Sequence, residues 1–182
     1  MRIAYGIGPD DRVHLSQPGG SALYAAGGAR VWVTGVAVLS RATGATLAAL
    51  SPALSANGIE TTSIRLIPGS EAETEFHAIT GSGGVDETRP ASHFLRVGQP
   101  LPKELLAYRP PDRSAPPGAP PGDLAVRLED LPSGVSRWEA VHLTPMDYFS
   151  QATLPGRLQE LGLRRITLDP APGVMDPARR LE

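Results

Sequence analysis

Residues 17–26, QPGGSALYAA, constrain the fold of this chain more than any other stretch. Pro18 stiffens the approach, Gly19 and Gly20 make a turn without Cβ atoms, and Ser21 is placed to cap a small, apolar helix. Two glycines at a helix start leave backbone N–H groups open to a ligand, although an ordinary tight turn uses the same residues. Ahead of this turn lie a short strand ending in Gly6 and an acidic pair, Asp10 and Asp11. A carboxylate accepts two hydroxyl hydrogen bonds, so a strand, an aspartate and a diglycine helix start can together hold a polyhydroxylated ligand. One shared cavity for Asp11, Gly19 and Gly20 is therefore expected. The other reading of Asp11 is a turn cap, a role that Asp10 fills equally well.

This order resembles the N-terminal signature of the PfkB (ribokinase-like) carbohydrate kinases. In that family a first strand ends in Gly, an Asp follows five residues later, and a Gly-Gly helix start adds contacts to the acceptor sugar. Gly6 and Asp11 have that spacing, and Gly19 and Gly20 stand at the diglycine. Where the family often has Asn, four residues after the second Gly, this chain has Tyr24. Tyr24 either stacks on a sugar ring or fills the core. The stretch VHLTPMDY…GLRRITLDPAPG is similar to the middle of such kinases, where a strand–helix–strand ends in Asp-Pro near the ligand cleft. It adds Asp169, at the end of an apolar strand, whose plainer role is a turn or helix cap.

The resemblance implies one α/β domain, incomplete and ribokinase-like (Rossmann-like): a mostly parallel sheet, flanking helices and a small β lid over residues 61–85. It implies a sugar or nucleoside as the small-molecule partner, a homodimer through the lid, and ATP with Mg2+ as cofactors of the complete enzyme. Phosphoryl transfer in that family relies on Gly-Ala-Gly-Asp, whose glycines form an anion hole and whose Asp takes the hydroxyl proton. That segment does not occur in the 182 residues. Gly118-Ala119 and Gly122-Asp123 mimic fragments of it, but prolines intervene and supply no N–H. No catalytic residue is therefore assigned, the nucleotide-binding part is expected beyond residue 182, and no ATP is expected on this chain alone. Two alternatives remain: a non-enzymatic module that binds a sugar or nucleoside or serves assembly, and a truncated remnant without function.

Other chemistries find little support. Net charge is −2, which gives no electrostatic case for nucleic acid or an acidic membrane. Cysteine is absent, which removes disulfides and thiolate chemistry. The start MRIAYGIGPDDR lacks a signal-peptide core and no apolar run reaches spanning length, so a cytoplasmic protein is expected. His14, His77, His93 and His142 show no metal-ligand spacing. His77 either faces a substrate from the lid or is an ordinary surface residue. Gly6-Ile7-Gly8 lacks the third glycine of a dinucleotide fingerprint, and the acidic pair after it would repel pyrophosphate.

Along the chain, residues 31–39 (VWVTGVAVL) read as a strand covered on both faces. Residues 43–56 read as a helix containing Pro52 and stopped by Asn57 and Gly58, and residues 59–67 as extended. Residues 74–80 alternate like a half-exposed antiparallel strand. Residues 89–123, with RPPDRSAPPGAPPGD, are expected to be irregular, the proline-rich loop itself spanning about 98–123. Residues 123–131 suit a short helix. Residues 140–143, 154–161 and 165–168 read as a βαβ unit, and residues 175–182 begin a further helix. Aromatics make only 5% of the chain, so the core is expected to rest on Leu, Val, Ile and Ala.

Overall fold

The computed structural model describes residues 1–69, 72–81, 83–110 and 121–171. In chain order the elements are β1 (Arg2–Ile7), β2 (Val13–Gly19), α1 (Ser21–Arg30), β3 (Val36–Ala37), β4 (Ser40–Thr43), α2 (Gly44–Ala56), β5 (Ile59–Glu60), β6 (Ile64–Ile67), β7 (Thr74–Ile79), β8 (Val85–Asp86), α3 (Pro90–Arg96), β9 (Val141–Leu143), α4 (Tyr148–Glu160) and β10 (Ile166–Leu168). β1 is the strand on which the main sheet is assembled. It runs antiparallel to β2 on one side and parallel to β7 on the other, and β8 closes the order β2-β1-β7-β8. The remaining strands form three two-stranded parallel pairs, β3–β5, β4–β6 and β9–β10. The protein is thus mixed α/β, but the described strands form a mixed sheet and three small parallel pairs rather than one mostly parallel sheet.

Local chemistry explains most boundaries. The Thr46 N–H donates to Thr43 Oγ1 at 3.1 Å, capping α2, and Asn57 ends that helix before Gly58 at φ 62°. The Ser150 N–H donates to Asp147 Oδ1 at 2.9 Å, which starts α4 well before the expected residue 154. β9 and β10 flank α4 and pair in parallel, as the strand–helix–strand pattern anticipates.

Three apolar clusters form the core. One packs Leu23 and Ala26 of α1 against Leu50 and Leu54 of α2 with Val36, Val38, Ile59 and Ile64. The second lies on one face of the main sheet and joins Tyr5, Ile7, Phe76 and Ala78 to Phe94 and Leu105. The core rests mainly on Leu, Val, Ile and Ala as expected, and this cluster adds the scarce aromatics, with Phe76 6.1 Å from Phe94 and 6.2 Å from Tyr108. The third gathers Val135, Leu143, Leu154, Leu158 and Leu163 around α4.

Several expectations are corrected. Residues 31–39 are not one covered strand: α1 runs to Arg30, Trp32 is 86% exposed, and only β3 is extended before Val38. Arg30 shapes that turn by donating to the carbonyls of Val33, Thr34 and Asn57. β7 is antiparallel only to β8; it lies inside the sheet, parallel to β1, and is more covered than a half-exposed strand, with Glu75, Phe76 and Ala78 buried. Residues 61–85 are shared between the β4–β6 pair and the main sheet. Residues 89–123 contain α3, which Pro90 opens at a position where a missing N–H costs nothing. The short helix expected over 123–131 is confined to one 3-10 turn, Leu128–Asp130. Residues 111–120 of the proline-rich loop and the expected helix at 175–182 lie outside the described residues. Among the described residues no helix is long and apolar enough to cross a membrane.

Candidate functional site

The diglycine does open α1, but in a different way from the sequence expectation. Gly19 ends β2 as a buried residue, and Gly20, at φ 98°, is the N-cap. Ser21 caps nothing; its hydroxyl donates toward Thr144 Oγ1 and the Pro145 carbonyl, both at 3.2 Å. The bare space beside Gly19 is filled by the protein itself. A Cβ on Gly19 would run into the Glu75 carboxylate and the Ala4 Cβ. The Gly20 N–H donates to Glu75 Oε1 at 2.8 Å, so a buried carboxylate answers the helix start where a ligand was expected.

Glu75 leads to a short row of ionisable groups. It lies on β7 two residues from His77, so both side chains leave the same face of the sheet. His77 Nε2 is 3.7 Å from Glu75 Oε1, and its Nδ1 is 3.3 Å from Glu87 Oε1. Ala4 and Gly6 stand opposite Glu75 and His77 on β1, so the floor beside this row is small. Burial pushes the Glu75 carboxyl up, but the His77 imidazole and the Gly20 N–H outweigh it and hold the group below its ordinary value. Glu75, and then Glu87, hold His77 above its ordinary value against the effect of partial burial. A cleft of about 470 Å³ opens along β8 beside Glu87, with Thr80, Thr88 and Arg89 also in its wall. Asp86 also lines this cleft; it accepts from Thr88 and Arg89 and sits 2.9 Å from His93 Nε2, and the His93 contact first, then Thr88, depresses its carboxyl well below the usual range.

Of the five residues that the sequence singled out, the structure sets Asp11 apart from the diglycine. Asp11 sits in the β1–β2 turn at φ 60°, with its carboxylate 2.7 Å from Arg96. Gly19 and Gly20 are at the other end of β2, whose six residue steps from Val13 to Gly19 span ~20 Å. The shared cavity expected for Asp11 and the diglycine is therefore not formed: the hairpin carries them apart. Asp10 is the turn cap, accepting the Arg12 N–H at 3.3 Å. Tyr24 is 61% exposed on α1, so it does not fill the core. Its phenol titrates above the ordinary value through partial desolvation and the Glu75 carboxylate.

Asp169 stays on the diglycine side. Gln151, buried on α4, donates to the carbonyls of Thr144 at 3.1 Å and Asp169 at 2.8 Å, and accepts the Ala171 N–H at 3.0 Å. Thr144 in turn meets Ser21, so Gly20, Ser21, Thr144 and Asp169 belong to one hydrogen-bonded chain. The Asp169 side chain is exposed at its edge. Glu75, Glu87, Thr144 and Gln151 went unmarked in the sequence. Glu75 and Gly20 are 55 residues apart, and no local pattern joins them. Among the described residues no group of three or more His, Cys, Asp or Glu side chains has the geometry to hold a metal.

No family model matches this chain, and no curated protein matches it.

Proposed function

We propose that this chain is the acceptor-binding part of a PfkB-type carbohydrate kinase, and that it binds a neutral sugar or nucleoside along the Gly20–Glu75–His77–Glu87 row. The observation that carries the reading is the cleft beside Glu87, whose carboxylate leads through His77 and Glu75 back to the diglycine helix start. Carboxylates accept from hydroxyl groups and an imidazole donates to them, which suits a polyol. Two carboxylates beside one histidine disfavour a phosphorylated ligand. Ser21, Thr144 and Asp169 extend the polar surface on the other side of α1's first turn. The same proposal includes ATP and Mg2+ as cofactors of a complete enzyme, association through residues 61–85, and a cytoplasmic setting.

Titration calorimetry of the 182-residue chain with D-ribose, D-fructose, D-glucose and adenosine tests the reading. Binding of one of these, weakened about tenfold by His77→Ala, is the expected result. No heat with any of them up to roughly 10 mM overturns it, since affinity weaker than that is below about 3 kcal/mol. Because the Gly-Ala-Gly-Asp segment is absent, binding is expected without turnover in a coupled ATP assay. Steady ATP-dependent phosphorylation of a bound sugar would refute that part.

A further inference from the structure

Outside that site, a cleft of about 520 Å³ opens where the start of β1, the end of β6 and the approach to β7 meet residues 122–124. Among the described residues its charged lining is Arg2, Glu73 and Asp123, and its apolar wall includes Ile67, Pro68 and Leu124. Arg2 and Glu73 are neighbours across the β1–β7 ladder, one step before the Ile3–Thr74 pair, yet no ion pair joins them. Among the described residues, no hydrogen bond or ion pair engages the side chain of Arg2, Glu73 or Asp123. Arg2 feels the Glu75 carboxylate and Glu73 feels the Met1 ammonium, but neither is in a hydrogen-bonded pair. A half-buried guanidinium with its donors unengaged favours a carboxylate, which it grips with two parallel N–H donors. Two carboxylates with no hydrogen-bonded cation favour an ammonium group. A free phosphate would meet both carboxylates, and a simple cation would meet Arg2. The volume lies within the roughly 300–1,000 Å³ typical of small-molecule sites.

We propose that this cleft binds a free α-amino acid with a branched apolar side chain. The ligand carboxylate lies on Arg2, its ammonium group lies between Glu73 and Asp123, and its hydrocarbon lies against Ile67, Pro68 and Leu124. The site is separate from the polyol reading and stands whether or not that reading does.

L-Leucine is the probe, titrated into the full chain by calorimetry. One binding site is expected. Isoamylamine, which lacks the carboxylate, and isocaproate, which lacks the ammonium, are each expected to bind at least about tenfold more weakly. Asp123→Asn, at an exposed position, and Arg2→Met are each expected to weaken leucine about tenfold. Should Arg2→Met fail a melting control, Asp123→Asn and the two analogues decide. Absence of leucine binding, equal affinity for the analogues, or undiminished binding by Asp123→Asn overturns the proposal.

Discussion

Gly19 is required less by its own conformation than by the side chain that lies against it. The Glu75 carboxylate and the Ala4 methyl occupy the volume a Cβ would need. Gly19→Ala is therefore expected to destabilise the fold by about 1–3 kcal/mol, as overpacking of a filled interior does. Urea unfolding measures this, and a loss below a few tenths of a kcal/mol would show that Glu75 moves aside freely. His77 gives a pH signature. Its folded pKa lies above 6.5, so its contribution is full below pH 6.5 and is lost as pH rises through the folded value. Glu75 lies below 4.5, so its contribution is present above pH 4.5 and is lost as pH falls through the folded value. The pair stabilises most between those two limits. His77 is 38% exposed, and solvent screening reduces its share to about 0.5 kcal/mol. Thermal melts of His77→Gln against the parent should differ by about 1–2 °C near the middle of that window and less in alkaline buffer. A gap that widens as pH rises would contradict the assignment. The diglycine, its helix and the exposed Asp169 were legible at this scale because each is a local signal. The partner of Gly20 was not, because Glu75 arrives from β7 through tertiary packing.

Among the elements, the Leu128–Asp130 turn is held by charge. Arg41 on β4 reaches Asp130 at 2.6 and 3.0 Å and Glu129 at 3.2 Å, and Arg65 on β6 reaches Asp130 at 3.1 Å. The Arg127 N–H also donates to the Asp130 carboxylate, at 2.8 Å. The Asp130 side chain is 0% exposed and that of Arg41 is 7% exposed. Burial raises the Asp130 carboxyl, and the Arg41 guanidinium and Arg127 N–H more than reverse it. Removing one partner strands the other charge, so Asp130→Ala is expected to cost about 3–5 kcal/mol, whereas the double change Arg41→Met with Asp130→Leu should recover most of that loss. Guanidinium chloride unfolding of the single and double variants checks this. A double variant no better than Asp130→Ala would mean that the acidic turn matters for its backbone bonds alone. Helix α2 was readable from Thr43, Asn57 and Gly58, which cap and stop it by local chemistry. The run 31–39 misled because its β-branched content matches a covered strand, while Arg30 binds three carbonyls there and turns the chain outward. β7 misled in the opposite sense. Its alternation is real, but the polar positions Glu75 and His77 pair with each other and with Glu87 rather than facing open solvent.

Across the whole molecule, the third apolar cluster is separate from the other two. What ties it to the rest is polar: the Ser21 hydroxyl on Thr144 and Pro145, and the two arginines on Asp130. Such links are individually worth about 0.5–3 kcal/mol, far less than the burial of Leu143, Leu154 and Leu158 within their own cluster. The α4 region should therefore open as a unit before β1 and β7 do. Native-state hydrogen exchange is expected to show a common, lower opening free energy for amides of β9, α4 and β10 than for those of β1 and β7. Ser21→Ala combined with Arg41→Met should lower that opening energy by about 2–4 kcal/mol and leave the slowest β1 and β7 amides changed by less than about 1 kcal/mol. One opening energy shared by both regions, moved equally by the variant, would show that a single cooperative core spans them. The consequence reaches the candidate site. Gly20 and Ser21 are adjacent on the chain, yet one bonds to the main sheet and the other to the α4 region. A ligand that contacts both Glu75 and Asp169 must therefore bridge the two, and its binding should slow exchange in α4 as well as in β7.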